Sequence, residues 1–87
     1  MPTMIAVHDV KDTKRWLASP KRKEIYGPLG VTNIRTFDDP QNPTRVALLA
    51  DVADMDAVIA FNQTKAAADA MAHDGVVPES IVILIET

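Results

Sequence analysis

Apolar residues recur along this chain with two periods, and the switches between them mark its elements. From Met4 to Val10, Ile5 and Val7 alternate with Met4, Ala6 and His8, the pattern of a two-faced strand. His8 is expected on the face that the helices leave bare. Asp12-Thr13 can cap a first helix through Trp16 and Leu17, and Ser19-Pro20 reads as a second N-cap that restarts it through Ile25 and Tyr26. Gly27-Pro28-Leu29-Gly30 ends it. Val31 to Phe37 alternates again, with Val31, Asn33, Arg35 and Phe37 against Thr32, Ile34 and Thr36. The run from Asp38 to Pro43 is dense in turn formers and predicts a hairpin with a long loop. Arg45 to Val52 is an apolar strand.

Asp54 can cap a second helix from Met55 to about His73, with Met55, Val58, Ile59 and Asn62 on one side, then Ala66, Ala67, Ala70 and Met71. Phe61 falls off that stripe, and a break near Asn62-Gln63-Thr64 restores it. Gly75 supplies a left-handed stop, and Ile81 to Ile85 reads as a strand buried on both faces. At an offset of about forty-five residues Trp16 falls on Phe61, Ser19 on Thr64 and Gly30 on Gly75, so the chain reads as a doubled β-α-β unit. The predicted fold is α+β, a ferredoxin-like βαββαβ arrangement: a four-stranded antiparallel sheet with two helices on one face. The other sheet face is apolar too, which points to a homodimer joining two bare faces into a barrel with a lined cavity.

Composition narrows this picture. Eighty-seven residues make one domain of marginal core, and without cysteine neither disulfides nor thiolate metal sites can support it. The net charge of -3 argues against a nucleic-acid partner. The basic cluster of Lys11, Lys14, Arg15, Lys21, Arg22 and Lys23 reads as a solvated helix face. No signal peptide or membrane span is visible, so a cytoplasmic location is expected.

His8-Asp9-Val10-Lys11-Asp12 with Trp16, Arg35-Thr36-Phe37 leading into Asp38-Asp39-Pro40, then Phe61 and Gly75-Val76-Val77-Pro78, resembles small proteins of the dimeric α+β barrel superfamily. The likeness covers nearly the whole chain and is strongest to the antibiotic-biosynthesis-monooxygenase and cyclase-like branch. The resemblance implies the dimeric barrel, and a protein that binds or transforms an aromatic or polyketide-like compound as a cofactor-independent oxygenase, cyclase or isomerase. Haem-degrading relatives use a tryptophan, histidine and asparagine set that does not map position by position onto Trp16, His8 or His73, and Asn33.

His8 is the leading candidate for proton transfer, since an imidazole titrates near neutrality. Arg35 and Asn33 share a strand face and can hold an oxyanion. Tyr26 can bring a hydroxyl to the cavity mouth, and Trp16, which packs the first helix, completes the ligand-binding candidates. His73-Asp74 suits the C-terminal end of the second helix. The histidine spacing gives no metal site, and no cofactor is expected. Two alternatives differ in class: a non-catalytic dimeric ligand-binding or structural module, and a tautomerase whose base is the amine of Pro2 once Met1 is removed.

Overall fold

A computed structural model describes residues 2–87. Each element forms where its cap and its period agree. Strand β1, Thr3–Asp9, leads into helix α1, Thr13–Ala18, whose first turn is closed by the Asp12 carboxylate accepting from the Arg15 N–H. Helix α2, Lys21–Tyr26, follows a break at which the Ser19 hydroxyl accepts from the Lys21 N–H. A 3₁₀ turn, Gly27–Leu29, and the left-handed Gly30 then turn the chain into β2, Val31–Asp39.

Strand β3 runs from Asn42 to Val52. The hairpin therefore needs only a tight turn at Pro40-Gln41 in place of the long loop the turn formers suggested. Asp39 pairs with Asn42, and the Asp39 carboxylate accepts from the Gln41 N–H, so these polar residues extend the strands while closing them. Helices α3, Met55–Asn62, and α4, Lys65–Asp74, are capped by Asp54 and Thr64. The break between them lies where the stripe changed phase. Gly75 ends α4 in the left-handed conformation, and β4, Val82–Ile85, closes the sheet.

The strand order is β2-β3-β1-β4, antiparallel throughout. Directly paired residues share a face, so the register sorts every side chain. Met4–Ala50, Ala6–Leu48 and His8–Val46 point toward the helices, while Ile5 lies between Leu49 and Leu84 on the bare face. The core fills the helix side. Met4, Val31, Ala50, Val52 and Val58 form one cluster, and Val10, Trp16 and Val46 form another. Trp16 is 1% exposed, and burying a side chain of this size contributes about 3 kcal/mol.

Two expectations are corrected by this register. His8 lies under the helices, not on the bare face. Both alternating sets of β1 are largely apolar, so alternation separated the faces without saying which was which; the small Ala6 and the flat imidazole are the set that leaves room for Trp16. Strand β4 is a sheet edge, and its four apolar residues are all exposed in the chain by itself, whereas the uninterrupted run had suggested burial on both sides. A β-bulge also interrupts β2: Asn33 takes a left-handed φ of 54° between Thr32 and Arg35. Its amide donates to the Asp51 carboxylate at 2.9 Å, which also accepts from the Thr3 hydroxyl at 3.1 Å.

Candidate functional site

Between the helix side of the sheet and the broken helices lies a mostly apolar cavity of about 110 Å³. Ala6 on β1 and Ala70 on α4 are on its wall, and their small side chains leave it unfilled. β1 contributes His8, α1 contributes Trp16, α2 contributes Arg22 and Tyr26, α3 contributes Asn62, and α4 contributes Asp74. All four half-helices reach the cavity wall, α1 with an aromatic ring and α2, α3 and α4 with polar groups.

His8 is only 6% exposed, and its Nδ1 has no hydrogen-bond partner of good geometry. Leaving such an atom unpaired costs about 1–3 kcal/mol. The imidazole meets the Trp16 indole edge to face, with centroids 5.5 Å apart. Desolvation lowers the His8 pKa below its ordinary 6.5, and the Arg22 charge adds to this while the Asp9 backbone and carboxylate oppose it. At neutral pH the ring is therefore a neutral base.

Arg22 lies over the other ring of that pair, its Cζ 4.3 Å from the Trp16 centroid. Its Nη1 donates to the Trp16 carbonyl at 2.7 Å, so it ties α2 back to α1. Across the cavity the Tyr26 hydroxyl donates to Asn62 Oδ1 at 2.6 Å. Burial raises the Tyr26 pKa, which keeps the phenol a donor. Since Asn62 Oδ1 is taken, its Nδ2 donors are left for a ligand.

The candidates named from sequence divide between the two faces. His8, Trp16 and Tyr26 share the cavity. Arg35 is on the bare face, opposite Leu49, with its guanidinium 5.6 Å from the Phe37 ring, and Asn33 is committed to Asp51. His73 is exposed at the end of α4, where its Nδ1 sits 2.9 Å from the buried Asp74 carboxylate. Sequence reasoning passed over Arg22, Asn62 and Asp74 as site residues. Arg22 was hidden in a run of surface cations, yet Asn62 carried a legible signal as the lone amide on an apolar helical stripe.

No protein-family model matches the sequence, and no curated protein is significantly similar to it. Solved structures are similar in fold. A Bordetella bronchiseptica protein named for the antibiotic biosynthesis monooxygenases superposes with a TM-score of 0.71 at 16% identity, over 99% of this chain and 94% of its own. The fold is ferredoxin-like. A Nitrosomonas europaea protein of the same designation gives 0.64 at 16% identity, over 100% and 97% of the two chains. A Mesorhizobium loti dabb-family protein with a ferredoxin-like fold gives 0.57 at 19% identity, over 99% and 95%. Identities this low establish the ferredoxin-like fold and leave the chemistry to the site.

No helix among the described residues is long and apolar enough to cross a membrane.

Proposed function

We propose that this chain is a small-molecule enzyme in which His8 removes a proton from a single-ring phenol or enolisable carbonyl compound held in the cavity. The observation that carries this reading is the buried imidazole at the cavity wall, neutral at physiological pH and with an unpaired Nδ1. A base in an apolar site lacks competing water, and the Arg22 cation nearby favours the anion that deprotonation creates. The Tyr26–Asn62 pair supplies a fixed amide donor for a ligand oxygen. Size sets the substrate class. An apolar cavity of about 150 Å³ takes benzene, so a space of about 110 Å³ suits one ring or less with slight opening of its wall.

The names of the solved neighbours suggest a fate for the resulting carbanion. With dioxygen as co-substrate, a phenol takes up one oxygen atom and becomes a quinone, while the second oxygen leaves as water. The working form is a homodimer. Ile5, Phe37, Val82 and Leu84 are exposed on the bare sheet face, an apolar surface of the kind that a second copy covers.

Proton abstraction is tested before any later step by solvent deuterium exchange, followed by NMR, across a panel of phenols and ketones. Wild type should accelerate exchange into at least one of them, and His8→Gln should lose about 10²-fold or more. Equal rates for the two proteins would remove His8 from the chemistry and favour a cavity that only binds.

A further inference from the structure

Arg22 is held as a recognition residue is held, yet no protein acid takes its charge. Its guanidinium is stacked on Trp16, and two donors are spent on the carbonyls of Trp16 and Leu17, at 2.7 and 3.5 Å. A guanidinium has five N–H donors, so the fork is fixed in place with donors to spare. Among the described residues no carboxylate comes within 4.0 Å of it; Asp39 lies against Arg45, and Asp74 against the His73 ring. Asp74, also on the cavity wall, attracts Arg22 through space but spends its Oδ1 on His73. A partly desolvated cation with unspent planar donors therefore shares a small apolar cavity with a fixed anion.

We propose that the cavity is selective for singly charged organic acids of about one-ring size, whose carboxylate engages the Arg22 fork while Asp74 repels a second negative charge. Planar bidentate recognition is what Arg offers a carboxylate and Lys does not. The ring of such a ligand lies against the apolar wall. The inference rests on the cavity being the ligand site of the proposed function, but not on His8 turning anything over.

The test uses the full chain and three probes of similar size: benzoate, its neutral isostere benzamide, and the dianion phthalate. Trp16 is the one tryptophan in the sequence, so its indole N–H gives a single NMR resonance at the cavity wall. Benzoate should shift that resonance and bind about tenfold or more tighter than benzamide, with phthalate weaker than benzoate and added salt weakening benzoate alone. Arg22→Met should erase the preference for benzoate, and Arg22→Lys should keep only part of it. If loss of the α1–α2 tie unfolds the methionine variant, the wild-type probe series decides alone. Equal affinity for benzoate and benzamide, tighter binding of phthalate, or no Trp16 shift with any probe overturns the proposal. Benzoate selectivity without catalysed exchange on any compound leaves Arg22 in this role and sinks the proton-transfer reading; exchange on neutral phenols without anion preference does the reverse.

Discussion

The imidazole of His8 and the indole of Trp16 cross at 81° with their centroids 5.5 Å apart, which couples the protonation of one to the environment of the other. In the unfolded chain His8 takes a proton near 6.5, and in the folded protein only at lower pH, chiefly because burial disfavours the charged ring. Between those two values the unfolded state binds more protons, so stability is full above about pH 6.5 and declines as pH falls toward the folded pKa. Thermal melts at about pH 7.5 and about pH 5.5 should show a lower Tm for wild type on the acid side. His8→Gln should flatten most of that slope, and Trp16 fluorescence should report the same protonation.

Tyr26 and Asn62 join α2 to α3 through a hydrogen bond of 2.6 Å, with Phe61 edge-on to the Tyr26 ring. Tyr26→Phe keeps the ring contact and removes the donor, so it should cost about 1–2 kcal/mol in urea unfolding. Combined with Asn62→Ala the two losses should be non-additive by about 1 kcal/mol. The raised pKa of Tyr26 adds an alkaline signature: above about pH 10 the unfolded chain gives up its phenolic proton first, so wild-type stability falls with rising pH and the phenylalanine variant loses that component.

Gly30 and Gly27 flank the same turn and should respond in opposite ways. Gly30 has φ of 88°, and a Cβ there would come within 2.9 Å of the Ala53 Cβ. Gly30→Ala is expected to destabilise by about 1–3 kcal/mol. Gly27 is helical and meets nothing within 4 Å, so Gly27→Ala should be neutral or stabilising by about 0.5 kcal/mol. Equal effects at the two positions in denaturant titrations would contradict this backbone assignment.

Leu84, 56% exposed on the bare face, tests the proposed dimer. Leu84→Asp should leave the chain folded by circular dichroism while raising the dimer dissociation constant by about tenfold or more, read by light scattering across a dilution series. An unchanged dissociation constant removes this face as the interface, and a wild type that stays monomeric at all concentrations removes the dimer.

The fold was legible because its signals were local and redundant: Asp12 and Asp54 cap the helices they precede, and Gly30 and Gly75 are left-handed where the chain must turn. Even the helix breaks were readable, from Ser19-Pro20 and from the phase change near Asn62. The site was less so, because it depends on which of two apolar strand faces turns toward the helices. His8 lies opposite Val46, and Arg35 opposite Leu49, one residue pair out of phase in the same sheet; no period within either strand reveals that offset. Arg22 was obscured for a related reason. Its inward turn is set by where α2 restarts, whereas its neighbours Lys21 and Lys23 carry the same charge in sequence.

The pairing of Met4 with Ile85 has a consequence for how the protein is made. β1 is an inner strand of the sheet, but one of its two partners lies far along the chain. A central strand whose neighbour lies some eighty positions downstream gives a topology of high contact order, in which chain closure precedes the reward of pairing. Slow, late folding is the expected behaviour. Until Val82–Ile85 pair with it, one backbone edge of β1 stays open, the kind of unpaired strand edge that invites association between partly folded chains.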